Sequence, residues 1–133
     1  MNLPKKTILY VDDDADDREL LEEVMRKVTP EFTVIFSENG LVALELLIEN
    51  KKTKLLPCLI ILDLNMPYLN GRQTFERIKA DTQLRDIPVV ILSSGENPAD
   101  KSFFGIADIP YFTKPIDLLD LESLASKLTN LCV

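Results

Sequence analysis

A fivefold alternation of short apolar runs with amphipathic segments constrains the fold more than any other feature of this sequence. The apolar runs are rich in β-branched residues and predict strands at residues 7–11, 33–36, 58–62, 88–92 and 109–112. The remaining segments predict helices at 15–28, from Asn39-Gly40 onward, around Phe75 and Ile78, at 98–105 and from Leu118 onward. Strands that alternate with helices form a parallel sheet with helices on both faces, so we predict a doubly wound α/β fold.

Two of the apolar runs also indicate their place in the sheet. Residues 58–62 are apolar at every position, which is typical of a central strand covered on both faces. Pro110 lies within the fifth run, and a proline has no N–H to donate to a neighbouring strand. We therefore expect the fifth strand at an edge of the sheet.

Composition excludes several classes of protein. The chain has 133 residues, of which 46% are hydrophobic and 28% charged, and we expect residues 1–133 to form a single domain. A formal net charge of −7 disfavours direct binding of nucleic acid. No apolar run approaches the ~18–20 residues of a membrane span, and no signal-peptide segment fits near Met1. We expect a cytoplasmic protein with neither a nucleic-acid nor a membrane partner.

The chain contains no histidine. This excludes histidine-based acid–base catalysis, histidine-activated nucleophiles and histidine-ligated zinc. Two cysteines cannot complete a four-ligand metal site, and we expect both Cys58 and Cys132 to be reduced thiols.

Polar side chains follow four of the five predicted strands. Asp12, Asp13 and Asp14 follow the first strand, and Asp63 follows the third; Ser93 and Lys114 follow the fourth and fifth. Because ligands of a doubly wound sheet bind at the carboxyl ends of its strands, we expect these side chains to converge there.

The acids of this edge predict a site for a hard divalent cation. Neighbouring carboxylates raise one another's pKa unless a cation lies between them, and an all-oxygen ligand set suits Mg²⁺. Acids in the first turn of a helix also have a purely structural use, which accounts for Asp14, Asp16 and Asp17. It does not account for Asp63, which interrupts the most apolar stretch of the chain.

The lysine and the serine of the same edge suit a phosphoryl group. Lys114 can pair with Asp63 or with a phosphoryl oxygen. Ser93 can donate a hydrogen bond to a phosphoryl oxygen, but no base lies beside it to make it a nucleophile.

At this point the chain resembles a known family, the receiver domain of two-component response regulators. The resemblance covers residues 8–128 and rests on five motifs in order: Val11-Asp12-Asp13-Asp14, Leu62-Asp63-Leu64-Asn65-Met66-Pro67, Asn70-Gly71, Pro88-Val89-Val90-Ile91-Leu92-Ser93 and Tyr111-Phe112-Thr113-Lys114-Pro115. It implies a flavodoxin-like sheet of strand order 2-1-3-4-5 with five helices.

The resemblance also implies a function. Asp63 would accept a phosphoryl group from a phosphohistidine of a sensor histidine kinase or a His phosphotransfer protein. Mg²⁺ would be held by Asp13, Asp63 and the backbone carbonyl of Asn65, with Asp12 acting mainly through water. Ser93 and Lys114 would contact the phosphoryl group. The domain would be a phosphoacceptor that assists its own phosphorylation and dephosphorylation, not a turnover enzyme.

A switch and an output surface follow from the same resemblance. Ser93 would move toward the phosphoryl group, and Tyr111 would change rotamer in response. The output surface would lie on the fourth helix, fifth strand and fifth helix and would bind another protein. Two features depart from the family: Ser93 stands where many members have threonine, and residues 97–110 are short and unusual for a fourth helix.

Three alternative functions use parts of the same pattern. A haloacid-dehalogenase-like phosphohydrolase needs a second aspartate two residues after its nucleophile, where this chain has Asn65. A flavodoxin-like FMN carrier needs a phosphate-binding first loop, which Asp12, Asp13 and Asp14 would repel. A receiver-like docking module that works without phosphorylation is the main alternative.

Overall fold

The structure is a computed structural model that describes residues 6–95 and 97–132. Within these residues five strands and five helices alternate. The strands are β1 (Lys6–Val11), β2 (Phe32–Ser37), β3 (Leu59–Leu62), β4 (Val89–Ser93) and β5 (Tyr111–Thr113). The helices are α1 (Ala15–Val28), α2 (Gly40–Thr53), α3 (Gly71–Ala80), α4 (Pro98–Ile106) and α5 (Leu118–Asn130).

The strands form one parallel sheet of order β2-β1-β3-β4-β5. The predicted fold class and strand order are confirmed. Every residue of β3 is buried, as its continuous apolar run predicts for a strand covered on both faces. Strand β5 lies at an edge, and Pro110 directly precedes it and accepts a hydrogen bond from the Ile91 N–H through its carbonyl.

Alternate residues of the strands face two separate cores. Leu9, Ile60 and Ile91 belong to the core that includes buried residues of α2, α3 and α4. Ile8, Ile61 and Val90 belong to the core that includes buried residues of α1 and α5. Because successive side chains of a strand point to opposite faces of the sheet, the helices form two layers, with α2, α3 and α4 on one face and α1 and α5 on the other. None of the helices among the described residues is long and apolar enough to cross a membrane.

Short polar side chains begin each helix next to the carboxyl edge of the sheet. The N-cap residues are Asp14, Asn39, Asn70, Asn97 and Asp117, and each side chain accepts a backbone N–H of the first turn. Such caps satisfy donors that have no partner within the helix. They fix the loops that carry the candidate functional residues.

The prediction that Cys58 and Cys132 are reduced thiols is wrong in this structure, which joins them in a disulfide. The Cα atoms of the two cysteines are 4.9 Å apart although 74 positions separate them in sequence. Helix α5 runs back from the carboxyl edge of the sheet to its amino edge. Cys132, two residues after α5, therefore meets Cys58, the residue before β3, a contact that only the tertiary fold creates.

Candidate functional site

The ends of β1, β3, β4 and β5 bring the predicted polar residues together. Val11 pairs with Leu62 in the register between β1 and β3, so the next residues, Asp12 and Asp63, leave the sheet side by side. The Nζ atom of Lys114, directly after β5, is 2.7 Å from Oδ2 of Asp12 and 3.3 Å from Oδ2 of Asp63. The expected convergence is present for Asp12, Asp63 and Lys114.

Three carboxylates form an acidic cluster at this edge. Ligand oxygens of Asp12, Asp13 and Asp63 all lie within 4.8 Å of one another. Asp12 and Asp63 are buried, whereas Asp13 is exposed. Asp13 and Asn65 also line an open cleft of about 610 Å³ above the cluster. A set of oxygen donors open to solvent on one side fits a hard divalent cation that keeps some of its water.

The Asp12 carboxylate is already engaged by the protein. Its Oδ1 atom accepts the Asp14 N–H at 2.9 Å. Its Oδ2 atom accepts the Tyr10 hydroxyl at 2.5 Å and also lies beside Lys114. Asp12 therefore has less free capacity for a cation than Asp13.

Burial and charge set the protonation of Asp63. Burial and the neighbouring Asp12 carboxylate raise the pKa of Asp63 to about 6, although Lys114 and the Asn65 N–H oppose this shift. The Asn65 N–H is 3.4 Å from Oδ1 of Asp63. Asp63 is therefore mostly ionised at neutral pH, although it is a weaker acid than an ordinary aspartate.

Lys114 stays charged in this environment. Burial alone would lower the pKa of Lys114, but hydrogen bonds to Asp12 and Asp17 and the charge of Asp63 raise it. The lysine side chain is only 15% exposed. It supplies a fixed positive charge at the edge of the sheet.

Two residues of this network, Tyr10 and Asp17, are absent from the predicted site. Tyr10 is buried in the core and reaches Asp12 only through its hydroxyl. Asp17 lies 2.7 Å from Lys114 through its Oδ2 atom. Its position in the first turn of α1 gives it the same sequence signature as Asp16, so no feature of the sequence separates the two.

Ser93 and Tyr111 lie around a second, smaller cleft. Ser93 ends β4 and is buried. Both residues line a cleft of about 180 Å³ together with Asn65 and Asp100. The Tyr111 hydroxyl donates a hydrogen bond of 3.1 Å to the Gly95 carbonyl in the loop between β4 and α4.

The predicted short fourth helix is present, and an aromatic cluster holds it. Phe104 of α4 is fully buried, with ring centroids 5.2 Å from Phe75, 5.0 Å from Phe103 and 6.4 Å from Tyr111. Edge-to-face and tilted contacts at such distances are favourable. The unusual segment 97–110 therefore contributes to the core and joins α4 to β5.

The acidic cluster lies where the strand order reverses between β1 and β3, the usual ligand position in a doubly wound sheet. This combination of fold and site defines the class of receiver-like signalling domains. A family model described as the response regulator receiver domain matches residues 8–126. The chain belongs to this family and is a receiver domain of two-component response regulators. Receiver domains of such regulators are phosphorylated by histidine kinases.

Relatives of known sequence and structure agree with this assignment. The response regulator Rcp1 of Synechocystis is 35% identical over 96% of this chain and 88% of the relative. The two-component response regulator ARR16 of Arabidopsis thaliana is 34% identical over 92% of this chain and 80% of the relative. Among solved structures, the phosphorylated cyanobacterial phytochrome response regulator RcpA has a TM-score of 0.84 and 30% identity, covering 96% of this chain and 94% of that one.

A metal-bound relative is also similar. The Mn²⁺-bound form of response regulator Rcp1 has a TM-score of 0.78 and 31% identity, covering 94% of this chain and 92% of that one. The acidic cluster of Asp12, Asp13 and Asp63 is compatible with a divalent metal in this chain as well.

Proposed function

We propose that Asp63 accepts a phosphoryl group from a phosphohistidine of a sensor histidine kinase or a His phosphotransfer protein. One observation carries the proposal: the buried Asp63 carboxylate lies within 4.8 Å of the Asp12 and Asp13 carboxylates and 3.3 Å from the Lys114 ammonium. The donor histidine must come from another protein, because this chain has none.

The transfer forms one bond and breaks another. A carboxylate oxygen of Asp63 attacks phosphorus as the bond from phosphorus to the donor imidazole nitrogen breaks, and the imidazole takes up a proton. The product is an acyl phosphate on Asp63, which water later hydrolyses. Such transfers depend mainly on positioning and on stabilisation of the phosphoryl charge. Lys114 supplies a positive charge and Ser93 a hydroxyl donor to the phosphoryl oxygens.

The residues of the acidic cluster fit Mg²⁺. Asp13, Asp63 and the backbone carbonyl of Asn65 would hold the ion, with Asp12 acting through water because Tyr10, Asp14 and Lys114 already occupy its oxygens. When bound, Mg²⁺ neutralises the negative charge that accumulates on the phosphoryl oxygens. The chain is then a phosphoacceptor that promotes its own modification and its reversal, not a turnover enzyme.

The output of phosphorylation is a change at α4, β5 and α5. Ser93 and Tyr111 line one cleft beside α4, which supports their coupling as a switch. Apolar side chains are exposed on or next to these elements, with Ile106 at 87% and Leu119 at 73%. Such a surface suits another protein, and the acidic net charge argues against nucleic acid. The partner would be an output protein in the cytoplasm, and residues 1–133 would act as one domain.

Phosphorylation with acetyl phosphate tests the proposal. Purified protein with Mg²⁺ should gain the mass of one phosphoryl group, and EDTA should prevent the gain. Asp63→Asn should abolish labelling, whereas Asp86→Asn, a substitution of an exposed acid outside the site, should be labelled like the wild type. Equal labelling of the wild type and Asp63→Asn would refute the assignment. An unlabelled wild type that still binds its partner would favour the docking module that works without phosphorylation.

A further inference from the structure

Within the described part of the chain Lys114 contacts three carboxylates, and the two nearest are not the proposed phosphoacceptor. Its Nζ atom is 2.7 Å from Asp12 and 2.7 Å from Asp17, but 3.3 Å from Asp63. An ammonium group has three N–H donors, so these three carboxylates occupy all of them. A phosphoryl oxygen on Asp63 can take over the 3.3 Å contact with that residue, but Lys114 can move fully onto the phosphoryl group only if one of its two 2.7 Å contacts breaks.

Burial decides which contact can break at the lowest cost. The Asp12 side chain has no exposed surface, and loss of its lysine would leave a buried carboxylate short of a partner. The Asp17 side chain is 37% exposed, so water can solvate its carboxylate when Lys114 leaves. Asp17 is therefore the partner that Lys114 can exchange for a phosphoryl oxygen.

Local structure holds Asp17 in reach of Lys114. The Asp14 side chain accepts the N–H groups of Asp16 and Asp17 and so fixes the first turn of α1. The Arg18 guanidinium donates to the Asp12 carbonyl at 2.6 Å, which ties the same turn to the end of β1. Among the residues that the structure describes, Lys114 pairs with Asp12, Asp17 and Asp63, whereas Asp16, one position before Asp17, is exposed to solvent.

We propose, on the basis of the proposed function, that Asp17 is a positioning residue that retains Lys114 in the unphosphorylated protein and releases it to the phosphoryl group on Asp63. The exchange breaks one ion pair between α1 and the residue after β5 and forms another at Asp63. Because the first contact must break, Asp17 slows phosphorylation and favours return to the unphosphorylated form.

The rate of phosphorylation by acetyl phosphate at fixed Mg²⁺ tests this proposal. Asp17→Asn should raise the rate roughly three- to tenfold, the range expected for loss of one partly buried ion pair. Asp16→Asn is the matched control: it removes the same charge from the same helix turn and should change the rate by less than about twofold. Asp17→Ser removes the same carboxylate and is measured in parallel. If one of the two variants does not fold, the rate of the other tests the proposal.

Lys114 is the second arm of the test. In a Lys114→Gln background, Asp17→Asn should have no further effect on the rate, because the residue it restrains is gone. A merely structural role of Asp17 would give the same change in both backgrounds. The proposal is overturned if Asp17→Asn matches Asp16→Asn, lowers the rate, or acts equally without Lys114. In all those cases the wild type is still labelled at Asp63; an unlabelled wild type would overturn the proposed function itself.

Discussion

The hydroxyl of Tyr10 donates a 2.5 Å hydrogen bond to Oδ2 of Asp12, which links the core between the sheet and α1 to the acidic cluster. Tyr10 is 1% exposed. Burial first, and then the charge of Asp12 and its hydrogen bond, raise the pKa of Tyr10 far above its ordinary value. The hydroxyl therefore remains a donor at any pH at which the protein is folded.

Alkaline titration should reveal this tyrosine. The chain has three tyrosines, and we expect Tyr10 to form tyrosinate only when the protein unfolds. Since the unfolded state loses the proton near pH 10 and the folded state does not, Tyr10 makes the protein less stable as the pH rises above about 10. Tyrosinate absorbance against pH, together with circular dichroism, measures this. In Tyr10→Phe the late ionisation should be missing; if it persists, the buried tyrosine is not Tyr10.

Tyr10→Phe should also lower stability at neutral pH. The substitution keeps the ring but removes a hydrogen bond to a buried carboxylate, at a cost of about 1–3 kcal/mol in the free energy of unfolding. Urea denaturation in EDTA measures it. Tyr68→Phe is the matched control, because Tyr68 is 83% exposed and should change stability by less than about 0.5 kcal/mol. Equal effects of the two substitutions would contradict a role of the Tyr10 hydroxyl.

The raised pKa of Asp63, about 6, predicts a pH-dependent gain in stability for Asp63→Asn. Between the ordinary carboxyl pKa near 4 and pH 6, the folded state binds a proton that the unfolded state has lost, so wild-type stability falls as the pH rises through this window. Above pH 6 Asp63 is charged in the folded and the unfolded state, so the cost of burying its charge lowers the free energy of unfolding by its full amount. Asp63→Asn should then be more stable than wild type by about 1–3 kcal/mol.

Measured in EDTA, this gain should shrink as the pH falls from 7 to 4, because wild-type Asp63 becomes protonated. For Asp86→Asn, at an exposed position, the difference in stability from the wild type should not change in this way between pH 4 and 7. A gain for Asp63→Asn that is constant from pH 4 to 7 would contradict the raised pKa. Mg²⁺ should reverse the order of stability. Asp63 is a proposed ligand of the ion, so the wild type should bind Mg²⁺ more tightly than Asp63→Asn and gain more stability from it.

Gly71, the first residue of α3, should be essential for the geometry of Asp63. Its N–H donates to the Leu64 carbonyl at 3.1 Å. A Cβ at this position would collide with the Asp63 carbonyl and stand 2.8 Å from the Leu64 Cα. These are backbone atoms of the residues at the site, which cannot move aside as a flexible side chain can.

Gly71→Ala should therefore lower stability by about 1–3 kcal/mol through overpacking and should slow labelling by acetyl phosphate. Gly105→Ala is the control, because a Cβ at Gly105 of α4 meets nothing within 4 Å. In a helix this second change should be neutral or stabilising by up to about 1 kcal/mol. If Gly71→Ala has the same stability and labelling rate as Gly105→Ala, then α3 does not pack as closely against the Asp63 backbone as the structure indicates.

Local periodicity and turn residues were enough to predict most of the fold. Helix α1 spans the predicted residues 15–28, because its apolar positions recur at helical spacing and Asp14 caps it. Strand β5 begins two residues later than predicted, since Pro110 cannot donate to the sheet. The acids and the lysine of the site could be placed because parallel strands share one carboxyl edge.

Contacts that depend on how a helix lies on the sheet could not be predicted in this way. The pairing of Asp17 with Lys114 joins residues 97 positions apart and depends on the rotation of α1 against the end of β5. The pairing of Cys58 with Cys132 similarly depends on where α5 ends. Neither leaves a periodic signal in the sequence, because each is a single contact between separate elements.

The cleft shared by Ser93 and Tyr111 leads to a final prediction about how phosphorylation is transmitted. A phosphoryl group adds charge and strong acceptor oxygens at Asp63, and the buried Ser93 hydroxyl at the end of β4 is a donor that can move toward it. This movement would change the space beside Tyr111, whose hydroxyl bonds to the Gly95 carbonyl and whose ring contacts Phe104 of α4. A small bias between rotamers of Tyr111 can then shift the position of α4.

Ser93→Ala and Tyr111→Ala should both leave Asp63 able to accept a phosphoryl group from acetyl phosphate. Both should lose most of the phosphorylation-dependent backbone chemical-shift changes in α4 and β5, measured by nuclear magnetic resonance, and most of the gain in affinity for an output protein. Tyr111→Phe isolates the hydroxyl bound to Gly95, and Ser94→Ala is the control at the exposed neighbour of Ser93. Since Ser94 does not line the cleft between Ser93 and Tyr111, its variant should respond like the wild type. If Ser93→Ala and Tyr111→Ala show the full response of α4 and β5, phosphorylation is transmitted by another path.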